Sequence, residues 1–235
     1  MKYEKIVCGQ FVSRPNRFVA QVIVDGKEEK VHVKNTGRCK ELLVPKCKVY
    51  LEDFNGRMGN RKMRYSLVAV EKAGKLINMD SQAPNKVVYE AFTDKRISLS
   101  NMDELTCIKP EKTYKDSRFD LYLEDIYGKK AFVEVKGVTL EEDGLCRFPD
   151  APTLRGLKHI KELCQAKEEG YEAAIIFVIQ MEEASLFGPN YDTQSEFGLA
   201  LKEAKAKGVE IYAYNCKVDI DSLEIFDKIN IDLDY

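Results

Sequence analysis

Tryptophan is missing altogether from this 235-residue chain, and histidine occurs only as His32 and His159. Two histidines are too few for the imidazole-rich cages that hold zinc or copper, so any metal here would be held by oxygen. No C-x-x-C pair occurs among the cysteines at 8, 39, 47, 107, 146, 164 and 216. An odd, scattered set of that kind argues against a zinc ribbon or finger and against a disulfide framework, and reduced packing thiols are expected. Long apolar runs are lacking too: "AAIIFVI" at 173–179 falls far short of the roughly 20 residues that span a bilayer. "MKYEKIVCGQ" has no signal-peptide core, so a cytoplasmic location with no membrane partner is expected. Walker A, dinucleotide-binding and G-x-S-x-G patterns are also absent, as is any recognisable helix-turn-helix.

What is present is ordinary for a globular protein, with 44% hydrophobic and 10% aromatic residues. That is enough for one large domain or two modest ones. The net charge of −2 hides an asymmetry: residues 1–84 carry 17 Lys and Arg against 9 Asp and Glu, and residues 85–235 carry 20 against 30. A basic first part can attract a polyanion, although a solvated lysine-rich surface has the same composition. The run "RMGNRKMR" at 57–64, beside Tyr65, makes Arg57, Arg61, Lys62 and Arg64 candidate nucleic-acid contacts.

Up to residue 84 the pattern is that of short strands. "RFVAQVIV" and "EEKVHV" flank the hairpin signal Asp25-Gly26, and "KVYLED", "RYSLVAVEK" and "KLINM" follow, with "NTGRCKELLVP" as a turn leading into one helical turn. About five strands in so short a stretch suggest a small barrel of the oligonucleotide-binding (OB) type. From "PNKVVYEAF" onward helices alternate with strands: a helix near 86–95, strands in 118–138, a helix at about 152–168 and the strand "AAIIFVIQ". A helix opened by a Thr193-x-x-Glu196 capping box and the strand "VEIYAYN" complete the series. This order predicts an α/β domain over 85–235, a mixed sheet flanked by helices, after an OB-like domain over 1–84.

Chemistry concentrates in "RFDLYLEDIYGKKAFVEVKGV", residues 118–138. Alternation puts Phe119, Leu121 and Leu123 on one face and Asp120 on the other, and Glu134 and Lys136 on the same face of the second strand. If residues 125–129 form the loop, Asp120 falls directly across from Glu134, whereas a one-residue slip separates them. Two converging carboxylates repel unless a cation or a proton lies between them, and Mg²⁺ or Mn²⁺ suits such a pair. The main-chain carbonyl of Val135 is a further oxygen, and Lys136 could orient a water and offset charge on a phosphorane. A solvated salt-bridge cluster is the other reading of the same residues.

The arrangement of Asp120, Glu134 and Lys136 resembles the PD-(D/E)XK nuclease superfamily, with Phe119 where its signature has Pro. More of the chain, through "HVKNTGRCKELL", "SRFDLYL", "FVEVKGVTL", "RFPDAPTLRGLKHIKEL" and "GVEIYAY" in that order, resembles the sugar fermentation stimulation protein A family. That resemblance implies an N-terminal OB-type barrel, a PD-(D/E)XK nuclease-like domain and nucleic-acid binding, with DNA favoured over RNA. It also implies catalytic positions at Asp120, Glu134 and Lys136 and an additional metal-site carboxylate at Glu90. From the residues alone, Glu90 reads as an exposed helix carboxylate. Arg155 and His159, four apart on one helix face, become candidates for a phosphate grip and for proton transfer. Leu154 departs from the family, where an acidic residue precedes Arg-Gly. In Asn35-Thr36-Gly37-Arg38, Gly37 would allow a positive-φ turn and Arg38 would reach a phosphate, or the motif is a structural turn. Two functions follow: a divalent-metal-dependent nuclease, or a non-cleaving DNA-binding regulator of sugar-metabolism genes. Oligomeric state is open.

Overall fold

The computed structural model describes every residue except Thr36 and Arg38. The chain opens with six strands: β1 (Ile6–Asn16), β2 (Val19–Val24), β3 (Lys27–His32), β4 (Lys48–Asp53), β5 (Tyr65–Lys72) and β6 (Lys75–Asn78). They run β3-β2-β1-β4-β5-β6, and β3 also pairs in parallel with β5 through Val31–Tyr65 and His32–Ser66. That last pairing closes the first five strands into an OB-type barrel, which removes their exposed edges. The Asp25-Gly26 turn between β2 and β3 has φ values of 48° and 77°, the doubly positive geometry that a two-residue hairpin favours. β1 has no counterpart in the sequence reading, which began the strands at residue 17. Its alternation is spoiled by register shifts after Phe11 and Ser13, and Gly9 sits where a Cβ would lie 2.5 Å from Val22.

Helix α1 (Ala83–Thr93) starts three residues before the expected position, with Pro84 in its first turn, where a missing N–H has no cost. The second sheet comprises β7 (Leu105–Tyr114), β8 (Ser117–Asp125), β9 (Lys130–Val138), β12 (Glu172–Ile179), β14 (Glu210–Asp219) and β15 (Ser222–Lys228). Its order is β15-β14-β12-β9-β8-β7, with β9, β12 and β14 parallel and the outer strands antiparallel. A small sheet of β10 (Glu141–Glu142), β11 (Leu145–Phe148), β13 (Leu186–Pro189) and β16 (Asn230–Ile231) lies beside it. Helices α2 (Leu154–Glu168) and α3 (Tyr191–Ala206) complete the chain.

Alternation along the central strands divides the core in two. Val133, Val135, Ile176 and Val178 pack with Val87, Val88 and Phe92 of α1. Phe132, Ile175 and Phe177 pack with Ile160 and Leu163 of α2 and Phe197 and Leu201 of α3. In the large sheet two strands escaped the sequence pattern because they lie on edges: β7 contains Pro110 and is mostly exposed, and β15 exposes Glu224 and the three residues from Phe226 to Lys228. The expected capping box at Thr193 is not the start of α3. Asn190 is the cap, its side chain accepting from the Thr193 N–H, and Gln194 interrupts the helix at φ −161°.

Candidate active site

Hairpin β8–β9 pairs Leu121 with Val133, Tyr122 with Phe132, Leu123 with Ala131 and Glu124 with Lys130. One step further, the same register sets Asp120 opposite Glu134. Asp120 does not extend the ladder with its backbone; its carboxylate replaces it. Oδ2 accepts from the Val135 N–H at 2.8 Å, and Oδ1 accepts from Asn85 Nδ2, in the first turn of α1, at 2.6 Å. On its other side the β7 ladder pairs residues 110 and 112 but passes over Glu111, which has φ 55°. The alternation breaks here, and Phe119, expected beside Leu121 and Leu123, joins the opposite core against Phe132 and His159.

Glu134 is 2% exposed, in the centre of the sheet next to Ile175 of β12. Its Oε1 accepts from Lys136 Nζ at 2.5 Å and meets His159 Nδ1 at 2.5 Å. His159 Nε2 lies 3.4 Å from Arg155 Nε, which donates to it. With Nε2 turned to Arg155, the Nδ1 proton of His159 is directed at Glu134 Oε1. Helical spacing explains the row: α2 is capped by Thr153, whose side chain accepts from the Gly156 N–H, and residues four apart share a face.

The two carboxylates have been driven apart in acidity. Burial, and then the charge of Glu134, push the Asp120 carboxyl up to about 6 against the Val135 N–H, Lys136 and Asn85. Burial also works to raise Glu134, but the His159 hydrogen bond and the Lys136 charge outweigh it and hold that carboxyl below its usual value. Glu134 Oε2 is buried and has no partner among the described residues, an orphaned acceptor of the kind that costs about 1–3 kcal/mol unless something binds it. Among the described residues no three His, Cys, Asp or Glu side chains form a complete cage. A pair of carboxylate oxygens with a main-chain carbonyl and waters is the donor set that Mg²⁺ or Mn²⁺ accepts, so the residues fit such an ion.

Other expected members lie elsewhere. Glu90 ion-pairs with the Met1 amino group at 2.8 Å, and that group also donates to Leu223 on β15, four strands from β8. At about 4.8 Å per strand, Glu90 is turned away from the Asp120–Glu134 pair. In the β4–β5 loop the basic side chains are largely committed within the fold. Arg64 grips Asp53 with two bonds of 2.7 and 2.8 Å, Arg57 pairs with Glu4 and Glu52, and Arg61 donates to Ser66 over the Phe54 ring. Lys62 is exposed. Arg38 lies outside the described residues. The lack of a side chain at Gly37 lets Asp150 approach, since a Cβ would lie 2.4 Å from Oδ2.

Sequence reasoning missed Asn85, although Pro84-Asn85 at a helix start is a visible signal. It also gave Gln180 no part. Gln180 is buried and donates to Asn78 Oδ1 and the Asp80 carbonyl, and Gly137, next to Lys136, is where it comes close.

Residues 82–222 match the family described as Sugar fermentation stimulation protein RE domain, a restriction-endonuclease-like unit, and residues 12–79 match the SfsA N-terminal OB domain. A sugar fermentation stimulation protein homolog of Clostridium beijerinckii is 51% identical over 98% of this chain and 99% of its own. One from Desulfitobacterium hafniense (strain Y51) is 52% identical over 99% of each chain. The structure of Pyrococcus furiosus SfsA in complex with Ca²⁺ superposes with a TM-score of 0.87 at 29% identity, covering 99% of this chain and 98% of that one.

Proposed function

We propose, from the premise that this chain belongs to the sugar fermentation stimulation protein family, that it is a divalent-metal-dependent nuclease that hydrolyses phosphodiester bonds of DNA. One observation carries the reading: Asp120 and Glu134 face each other across adjacent strands, near enough for the Glu134 charge to raise the Asp120 carboxyl, with Glu134 Oε2 unpartnered among the described residues and Lys136 bonded to Oε1. On this reading residues 1–84 hold nucleic acid and residues 85–235 cut it. A relative that binds Ca²⁺ is consistent with a divalent site here.

Asp120, Glu134 and the Val135 carbonyl would hold the ion, which supplies Lewis-acid stabilisation of a phosphoryl oxygen. The remaining work belongs to the chain. His159 and Lys136 occupy Glu134 Oε1 and leave Oε2 without a partner among the described residues. Lys136 carries a positive charge to the point where phosphorane charge develops, and orients the attacking water. Arg155, exposed at the start of α2, grips a phosphate. His159 bonds Glu134 through Nδ1 and Arg155 through Nε2, which makes it a positioning residue rather than a proton shuttle. An intact buried charge set also favours cutting over the non-cleaving regulator, because such charges are costly without an ion to bind.

The test incubates the purified protein with single- and double-stranded DNA and with RNA, in Mg²⁺, Mn²⁺ or chelator, beside Asp120→Ala and Lys136→Ala. Cleavage of DNA that needs the ion and falls by about 10²-fold or more in each variant is expected. No cleavage under any condition, or equal cleavage by both variants, sinks the proposal.

A further inference from the structure

With the arginines of the β4–β5 loop engaged by acidic and hydroxyl groups of the barrel, and the rings beneath them, Phe54 and Tyr65, not exposed, the β1–β2 turn offers what the loop lacks, an exposed aromatic ring beside an arginine. There Phe18 is 45% exposed, and the guanidinium of Arg17, also exposed, lies 4.9 Å over its ring. Ring and guanidinium together present an exposed aromatic face beside a cation, the pair that stacks on bases. The turn is held rigidly. Phe18 N–H donates to Asn16 Oδ1, the Phe18 carbonyl accepts from Val33 N–H, and Arg14 donates to the carbonyls of Arg17, Asn35 and Gly37.

The same bonds connect the turn to the segment that borders β9. Arg14 ties the Arg17–Phe18 turn to the segment at Asn35 and Gly37, and Gly37 packs directly on Asp150. Asn35 and Asp150 line a polar cavity of about 50 Å³ together with Gly137 and Arg147. Gly137 follows Lys136 in β9. Val33 to Asn35 is two residues of chain, and Asn35 and Gly137 line the same cavity, so the turn connects to β9 through a short stretch of chain and that cavity. A barrel of this type engages about 4–16 nucleotides, so one strand could lie across both.

We propose that Phe18 and Arg17 form a stacking platform for an unpaired stretch of DNA, which the barrel holds while the strand runs past Asn35 to the Asp120–Glu134–Lys136 cluster. The partner must be unpaired because the face of a base is open to an aromatic ring only when the base has left the duplex stack. Arg17 contributes a cation on one side of the ring and a donor for the flanking phosphate. This rests on the nuclease reading for its choice of DNA and for the direction of the strand.

Binding and cutting are measured separately. A fluorescein-labelled 12-nucleotide DNA, its duplex and the RNA of the same sequence are titrated by anisotropy in chelator, where no ion-dependent cutting occurs. Phe18→Ala and Arg17→Ala are expected to weaken single-strand DNA binding about tenfold each, and Phe18→Tyr to stay within twofold of wild type. A thermal melt of each variant checks that the fold is retained; with Phe18 half exposed, the transitions should coincide. Single-strand binding by Phe18→Ala equal to wild type overturns the platform, whether or not the protein cuts. Equal losses on duplex, or tighter binding of RNA than of DNA, overturn the assignment to unpaired DNA. Loss of binding in Phe18→Ala from a wild type that never cuts leaves the platform standing and removes the nuclease.

Discussion

At the scale of single residues the proposed chemistry depends on two carboxylates whose surroundings differ. Asp120 titrates at about 6 because it is buried beside a charge of the same sign. Its acidity is therefore weaker in the folded chain than in the unfolded one, so the native state binds the proton more tightly between the ordinary aspartate value and about 6. Stability of the metal-free protein should fall as pH rises through that window, by about 3 kcal/mol in all. Asp120→Asn removes the ionisation, so at pH 7.5 the metal-free variant should unfold at higher urea than wild type, with the difference vanishing below pH 4. A wild type that gains stability over that window relative to the variant would contradict the burial argument. Ion binding must also displace the Asp120 proton, so apparent affinity should weaken toward tenfold per pH unit well below 6. The sequence made Asp120, Glu134 and Lys136 legible because charged residues at alternate strand positions in an apolar context stand out. It could not reveal that Oε1 of Glu134 is shared by two donors while Oε2 has none.

Elements show where periodicity carries information and where it loses it. α2 and the central strand β12 were readable, the first from apolar residues at helical spacing and the second from an unbroken apolar run between two covered faces. β1 and β7 were not, since a strand that bulges around a barrel or lies on a polar edge has no clean period of two. Helix starts are the least secure, because several polar residues compete for one capping position. Asn190 and Thr193 make this measurable: Asn190→Ala should cost about 1 kcal/mol in urea unfolding and Thr193→Ala much less, and the reverse ranking would restore the capping box. Gly137 is a second case, in which a small residue serves contact rather than flexibility. A Cβ there would lie 2.6 Å from Gln180 Oε1 and 2.8 Å from Pro84, so the glycine lets the start of α1, with Asn85, reach Asp120.

For the whole molecule, the barrel and the endonuclease-like sheet share one continuous apolar core that runs from Phe11 and Val31 to Phe177 and Phe197. A buried polar network joins them as well: Gln180 to Asn78 and Asp80, Asn78 to Tyr3, and Asp80 to Lys34. The first residues of the chain lie along β15, with Tyr3 N–H donating to the Asp221 carbonyl. Such coupling predicts a single urea transition for the full chain, and Gln180→Ala should shift it by about 1–3 kcal/mol without splitting it, read by circular dichroism and by amide hydrogen exchange in both parts. Two resolved transitions would show that the interface contributes little. By itself the sequence determined the order of a strand-rich first part and an alternating second part, the family, and the residue types at the carboxylate pair, because each depends on local spacing or motif. Only the tertiary structure decided that Glu90 turns away, that Asn85 and His159 hold the carboxylates, and that the basic loop is engaged while the Arg17–Phe18 turn is open. Those outcomes depend on which distant segments the packed core brings within hydrogen-bonding distance, and local sequence carries no record of that.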